Sequence, residues 1–314
     1  MFSNEFWNKP KGTIDTEPTT RGIMAWGTNG NTVNGTIFSV SNLISTSGVV
    51  ASDTTGVGTT RNSSEGATYS DDKGIFFGGA RGLGSAEYSN LVSNNGVVAS
   101  DTDIVGPANY GSGGSRFGGT KAIFAFGYDN DAGGNTATSR LVNNSGVVAA
   151  EVSAVGTAKS STSGLSYGTD RAIIAYGNNG GTASAPTNLV SNTGVVSADI
   201  TSVGTGRWSF AACTFGGDKG IFGFGRTLGG EQQIINLVSN AGIIASDTST
   251  VGRARRGPAG CGYGSDKGIF SFGAVGTNGS GGVTNLVSNT GTVASDVTQV
   301  GSDLKSKSGL GFAN

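Results

Sequence analysis

One short segment recurs six times along the 314-residue chain, and this repetition constrains the fold more than any other feature. Each copy begins with isoleucine and ends in glycine, as in the segment IFSFG from Ile269 to Gly273. The six isoleucines are 52, 48, 50, 48 and 48 residues apart: Ile23, Ile75, Ile123, Ile173, Ile221 and Ile269. A leucine that follows Asn or Arg marks the same six copies: Leu43, Leu91, Leu141, Leu189, Leu237 and Leu286. Such a period is typical of propellers, solenoids and arrays.

Each repeat contains four segments with strand character. In the sixth repeat we predict strands a to d at Ala259–Gly264, Gly268–Phe272, Thr284–Ser288 and Thr292–Asp296, with a long loop between b and c. The turn between c and d contains Asn-x-Gly, whose residues tolerate the positive φ of a hairpin turn. The 57 glycines and 5 prolines, beside β-branched and aromatic residues, favour strands and turns over helices.

These patterns predict an all-β fold: a six-bladed β-propeller with four antiparallel strands in each blade. The repeats start near residues 21, 72, 120, 170, 218 and 266, so the propeller domain spans 21–314. The first copy lacks a strand a, and the segment Ser308–Phe312 near the C-terminus is similar to strand a at Ser163–Tyr167. We therefore expect the C-terminal strand to pair into the first blade and close the ring.

The order of these motifs resembles the kelch repeat from about Arg21 to Phe312. The shared features are a strand b ending in glycine (a diglycine at Gly78-Gly79) and a linker of the form VGxxR. The Gly- and Asn-rich, histidine-free repeats beside a short non-repeating arm also resemble propeller proteins of tailed-phage particles. This second resemblance implies a virion structural protein of the tail, a fibre or the capsid surface, present in several copies and made in the host cytoplasm.

The first twenty residues do not match the repeat. They contain Phe2, Phe6 and Trp7, and three large aromatic side chains are costly to leave in water. We interpret residues 1–20 as an arm that anchors the protein to other virion proteins, with a flexible tail as the alternative.

Composition argues against several functions. The net charge is −1 with 13% charged residues, which gives no reason to expect nucleic acid as a partner. Apolar runs of about five residues are too short to span a membrane, and no secretory signal is recognisable. The absence of histidine removes the commonest general base and weakens zinc or copper sites. We expect a non-enzymatic protein without metal or cofactor.

Recognition is expected in the variable loops between strands b and c, which lie on the same face as the d–a linkers. The candidate ligand-binding residues there are Arg81, Tyr88, Tyr128, Asp129, Asp131, Arg226, Glu231 and Gln233. Ring stacking with carboxylate and amide hydrogen bonds suits a host surface glycan, so a lectin-like propeller is the alternative function. Loop variation without function is equally compatible with the sequence.

The linkers on that face also carry basic residues: Arg207, Arg253, Arg255 and Arg256, with Trp208 among them. They either bind an acidic partner or keep the mouth of a central channel solvated. A further recurrence pairs an acidic residue with a basic one eight positions later, as in Asp53/Arg61 and Asp199/Arg207. We interpret these pairs as ion pairs between blades or as hydrogen-bonded turns that set the spacing of the blades, and Cys213 and Cys261 as small buried strand residues.

Overall fold

The fold is known from a computed structural model that describes residues 21–30, 35–82, 84–201, 203–276 and 281–312. The residues in these ranges form strands, turns and irregular segments and contain no helix. The expected all-β class is therefore confirmed. Residues 1–20, with Phe2, Phe6 and Trp7, lie outside the described residues.

The strands assemble into antiparallel sheets, one for each repeat, which we number 1 to 6 along the chain. The a strands of sheets 1 to 6 are Ser308–Phe312, Glu65–Tyr69, Gly113–Phe117, Ser163–Tyr167, Ala211–Phe215 and Ala259–Tyr263. The b strands are Arg21–Thr28, Lys73–Phe77, Lys121–Ala125, Arg171–Asn179, Lys219–Gly223 and Lys267–Ser271. The c strands are Ile37–Ile44, Tyr88–Val92, Thr138–Val142, Thr182–Val190, Ile234–Val238 and Val283–Val287.

The outer d strands are only two residues long. Those of sheets 2 to 6 are Thr102–Asp103, Val152–Ser153, Ile200–Thr201, Thr248–Ser249 and Val297–Thr298. In sheet 1 a single bridge between Ser41 and Thr54 takes this place. In the sixth repeat strands a, b and c lie within one residue of the predicted bounds. The predicted strand d at Thr292–Asp296 is wrong, because that segment makes only the bridge from Val293 to Val287 before it pairs at Val297.

The segments between strands b and c are short hairpins in several repeats, where long loops were expected. Strand pairs at these positions are Ala80–Arg81 with Gly84–Ser85, Tyr128–Asp129 with Gly134–Asn135, and Arg226–Thr227 with Gly230–Glu231. Asn109–Tyr110 adds a further strand to the second of these pairs. Hairpin pairing satisfies the backbone groups of these segments and holds their side chains on an ordered frame.

The C-terminal strand pairs with the first strand of the chain. Leu310 lies opposite Ile23 and Ser308 opposite Ala25, so Ser308–Phe312 is the a strand of sheet 1. The buried residues of the described ranges form six apolar clusters, each shared by two successive sheets, including sheets 6 and 1. Cys213 and Cys261 are buried free thiols within these clusters, as predicted.

A cycle of backbone hydrogen bonds links the segments that lead into the six a strands. The left-handed members are Ser63, Gly111, Ser161, Ser209, Gly257 and Ser306, with φ between 51° and 63°. The hydrogen bonds run Ser63 to Ser306, Ser306 to Gly257, Gly257 to Ser209, Ser209 to Ser161, Thr162 to Gly111 and Gly111 to Ser63. Together with the peptide bond between Ser161 and Thr162, these hydrogen bonds return to the residue at which they start, and we call them the serine–glycine cycle.

Candidate functional site

Two of the basic residues expected at a channel mouth are buried between sheets. The side chains of Arg207 and Arg255 are fully buried, because each guanidinium covers an aromatic ring of the preceding sheet. Arg255 lies 3.7 Å from the centroid of Phe224, and Arg207 lies 4.8 Å from that of Tyr176. The equivalent pairs are Arg61 on Trp26, Lys159 on Phe126 and Lys307 on Phe272. These cations therefore join neighbouring sheets, and we call them the interface cations. They are not available to a ligand.

The acidic partners of these cations lie one repeat further on than the sequence suggested. Arg61 forms an ion pair with Asp101 at 3.5 Å, and not with Asp53 eight residues before it. Asp53 instead accepts hydrogen bonds from Asn42 and from Ser302 in the linker to sheet 1. The spacing of eight residues predicts the wrong partner because the linker crosses to the next sheet. The cation that the linker carries therefore lies next to the carboxylate of that sheet.

The linker carboxylates are held in their charged form. Partial burial alone would raise the pKa of Asp101, but hydrogen bonds from Thr59 and Asn90 and the charge of Arg61 lower it below its usual value. The same balance lowers the pKa of Asp53, Asp199 and Asp247. Each carboxylate is thus part of the junction between two sheets, and we assign it no catalytic role.

The residues on the face of the b–c hairpins are more varied. We define the loop face as the end of the molecule where the d–a linkers bridge the starts of these hairpins. Its bridged pairs are Thr28 with Lys305, Asn62 with Ala80, Ser160 with Asn178, Trp208 with Arg226 and Arg256 with Ala274, together with Tyr110 and Tyr128 in sheet 3. The linker residue in each pair immediately precedes a member of the serine–glycine cycle.

One sector of the loop face is strongly basic. Arg226 lies over the ring of Trp208, 5.5 Å from its centroid, and Arg256 forms an ion pair with Glu231. Lys305, in the adjacent linker, is half-buried next to the same groups. Burial lowers the pKa of Lys305, the positive charges of Arg256 and Arg226 lower it further, and Glu231 opposes them. We call these five residues the cationic cluster.

The cationic cluster combines residues that the sequence placed in two separate sets. Arg226 and Glu231 were predicted as loop residues, whereas Trp208 and Arg256 were predicted at a channel mouth. Lys305 was not predicted, because it comes from the linker before the C-terminal strand, outside the six full repeats. Its only sequence signal was its place one residue before the serine that corresponds to Ser209.

Sheet 3 presents a pair of tyrosines on the same face. The rings of Tyr110 and Tyr128 are half-buried, and their centroids lie 5.2 Å apart. Asp129 is buried, and its carboxylate accepts hydrogen bonds from the backbone N–H groups of Asp131 and Ala132. Asp129 therefore stabilises its own hairpin, which leaves the two rings as the groups that could stack on a ligand.

The remaining predicted residues are dispersed. Arg81, Asp131 and Gln233 are exposed on separate hairpins, and Gln233 donates a hydrogen bond to the carbonyl of Thr250. Tyr88 is half-buried in a c strand opposite Asp103, away from the tyrosine pair. Arg253 is exposed, and its backbone N–H donates to Asp296.

A cavity of about 230 Å³ is lined by the a strands of all six sheets. Glu65 lies beside two smaller spaces that extend towards the serine–glycine cycle. Its carboxyl accepts a hydrogen bond from the backbone N–H of Gly114, and burial raises its pKa well above the usual value. Within the described residues, no three His, Cys, Asp or Glu side chains come close enough together to hold a metal ion.

No protein-family model and no curated protein matches this sequence. In the part of the chain that the structure describes, there is no helix with the length and apolar character needed to cross a membrane.

Proposed function

We propose that the six sheets are the blades of a closed, kelch-like β-propeller. Three observations support this arrangement: the apolar clusters join each sheet to the next, sheet 6 packs on sheet 1, and the serine–glycine cycle returns to its start. The chain closes by pairing Ser308–Phe312 with Arg21–Thr28. A closed ring leaves only short, protected sheet edges, which suits the two-residue outer strands.

On this scaffold the protein is a non-enzymatic interaction protein that recognises its partner through the loop face. The contrast between the two ends of the sheets carries this proposal. The opposite end repeats similar turns, such as Asp218-Lys219 and Asp266-Lys267, in which each lysine is paired with its own neighbour. The loop face instead collects aromatic and charged side chains that differ from sheet to sheet.

Following the resemblance to phage propellers, we place the protein on a virion, in the tail, a fibre or the capsid surface. Residues 1–20 would attach it to other virion proteins, and the loop face would meet the host. The aromatic residues Phe2, Phe6 and Trp7 are the proposed anchors.

The anchor is tested with the full chain carrying Phe2→Ser, Phe6→Ser and Trp7→Ser. We expect this variant to lose co-sedimentation with phage particles that lack the protein, while it keeps the unfolding midpoint of the original chain. The matched control replaces three exposed valines, Val97→Ser, Val147→Ser and Val195→Ser, which removes apolar surface elsewhere. Equal binding by both variants and the original chain, or no binding to particles at all, would remove the proposed placement.

Carbohydrate binding is the second candidate, and the tyrosine pair favours it. Aromatic rings with a polar edge provide stacking surfaces for sugar rings. We expect Tyr128→Ala to abolish binding of the chain to immobilised neutral oligosaccharides, while Tyr88→Ala leaves it unchanged. A chain that binds none of these sugars, or loses nothing with Tyr128→Ala, contradicts this candidate.

A further inference from the structure

We infer that the cationic cluster binds the carboxylate of an acidic saccharide. This inference rests on the proposed recognition role of the loop face and names the chemical class of its ligand. The site comprises Arg226, Arg256 and Lys305 as the cations, Trp208 as an aromatic surface, and Glu231 as the residue that orients Arg256.

Within the cationic cluster the positive charges outnumber the negative ones. The cluster contains two arginines and one lysine but one carboxylate, that of Glu231, which forms an ion pair with Arg256. Like charges brought together in a half-buried place repel each other, and an anion between them would remove this repulsion. The interface cations differ in this respect, because Arg61 has both an aromatic ring and a nearby carboxylate.

Arg226 offers a donor for such an anion. Its Nε is buried and has no hydrogen-bond partner among the described residues. A buried donor without a partner costs free energy, and a carboxylate oxygen would satisfy it with a charge-assisted hydrogen bond. The backbone of Arg226 is held by two hydrogen bonds with Trp208, one in each direction, so the side chain starts from an ordered position.

The adjoining groups favour a saccharide over a simple ion. Trp208 is half-buried, and the guanidinium of Arg226 lies over its ring, so the aromatic surface and the cation belong to one site. A sugar acid can place its carboxylate on the cations and the apolar face of its ring on the indole. Ser209 and Ser306, one residue beyond Trp208 and Lys305, line one of the smaller spaces beside Glu65 and add hydroxyl groups near the site.

The elements that form the site are fixed relative to each other. The backbone N–H of Gly257 donates to the carbonyl of Ser209 at 2.7 Å, and the N–H of Ser306 donates to the carbonyl of Gly257 at 2.8 Å. These bonds hold the linkers of Trp208, Arg256 and Lys305 as three neighbours. A preorganised site loses little conformational entropy when its ligand binds.

The test uses the full chain and two probes that differ in one acidic sugar, 3′-sialyllactose and lactose, in isothermal titration calorimetry. We expect 3′-sialyllactose to bind at least about ten-fold more tightly than lactose, and to weaken as salt is raised from about 0.05 to 0.5 M. Arg226→Gln and Lys305→Gln should each weaken it about ten-fold with no change in lactose binding. Trp208→Ala should weaken both probes, whereas Trp208→Phe should retain most of the binding.

The control is Lys121→Gln, which removes an exposed cation from the end of the sheets opposite the loop face and should leave both affinities unchanged. Unfolding midpoints establish that each variant is folded. Equal affinity for the two probes, or equal loss with Lys121→Gln, would overturn the inference and leave the proposed recognition role intact.

Two further results separate the proposals. If poly-glutamate binds and loses affinity with Arg226→Gln while no sugar binds, the site takes an acidic peptide and the saccharide assignment is wrong. If neither probe binds and Arg226→Gln, Lys305→Gln and Tyr128→Ala leave association with host envelopes unchanged, the inference and the recognition role both fail.

Discussion

The carboxyl of Glu65 lies where the other five a strands have a small residue: Gly113, Ser163, Ala211, Ala259 and Ser308. A Cβ at Gly114 would come within 2.6 Å of Glu65 Cγ, so the absence of a side chain at Gly114 makes room for this carboxyl. Glu65 is half-buried, but its carboxyl is surrounded by protein and receives one backbone hydrogen bond. Burial without a cation therefore favours its protonated form.

The raised pKa of Glu65 predicts a specific dependence of stability on pH. A carboxyl with a raised pKa in the folded state binds its proton more tightly there than in the unfolded chain. Its contribution to stability is fully present below the unfolded pKa and is lost as the pH rises through the folded pKa. We expect Glu65→Gln to raise the unfolding midpoint at pH 7 and to differ little from the original chain near pH 4. A lower midpoint for Glu65→Gln at pH 7 would show that the ionised carboxylate has a favourable partner.

Arg255 is one of the interface cations, and we expect its replacement by lysine and by methionine to affect stability differently. Three buried polar atoms at this junction have no hydrogen-bond partner among the described residues: Nε and Nη2 of Arg255 and Oδ1 of Asn285. At the equivalent position of sheet 4 a lysine satisfies the asparagine, because Lys159 Nζ donates to Asn188 Oδ1 at 2.7 Å.

We expect Arg255→Lys to keep or raise stability in thermal unfolding. Arg255→Met should lose about 3 kcal/mol, since Asp296 then lacks its cation. Equal losses in both variants would mean that the shape of the guanidinium, and not its charge, holds the two sheets.

At the scale of the structural element, the junction between sheets 2 and 3 reverses the usual positions of the charged residues. Asn109 occupies the linker position at which the other junctions have the interface cation, and Gly78 occupies the position of the aromatic residue after strand b of sheet 2. Arg140 replaces the asparagine that the other c strands have. Arg140 donates to the carbonyls of Val105 and Pro107 and lies 3.5 Å from Glu151. The junction therefore keeps one cation and one carboxylate, with the cation supplied by strand c.

This reversal predicts coupling between residues 109 and 140. Arg140→Asn leaves Glu151 without its cation, and Asn109→Arg places two cations in one junction. We expect each single substitution to lower stability by about 2–3 kcal/mol, and the double substitution to recover at least half of the summed loss. A double-mutant cycle in chemical unfolding measures this coupling. Additive losses would show that the two positions do not share one charge site.

The sequence predicted the inner three strands well because their signals are local. Alternating burial and the turns at Gly264 and Gly291, which need positive φ, determine where these strands begin and end. Strand d was misplaced because it pairs over only two residues, so its own pattern carries little information. The partner of Arg61 and the composition of the cationic cluster depend on which sheets are neighbours, and spacing along the chain does not contain that information.

At the scale of the whole molecule, contacts between successive sheets make the two ends of the chain interdependent. Phe312 and Leu310 belong to the same apolar cluster as Ile23, Phe76 and Val92, so the last strand packs between the first two repeats. Lys307 donates to Asn42 at 2.6 Å and covers Phe272, which joins sheet 6 to sheet 1. In the proposed closed propeller this junction is equivalent to the other five.

If the junctions are equivalent, a substitution in the C-terminal strand should lower the unfolding midpoint as much as the same substitution in the middle of the chain. Leu310 and Leu165 occupy the same position in the a strands of sheets 1 and 4, and each is 3% exposed. A buried aspartate without a partner is strongly destabilising in either place. We therefore expect Leu310→Asp to lower the unfolding midpoint as much as Leu165→Asp, with one cooperative transition for each variant. If Leu310→Asp leaves the midpoint unchanged while Leu165→Asp lowers it, the C-terminal strand does not close the molecule, and the ring proposal is wrong. Equal losses mean that the ring is held as strongly where the chain ends meet as between sheets joined by continuous chain.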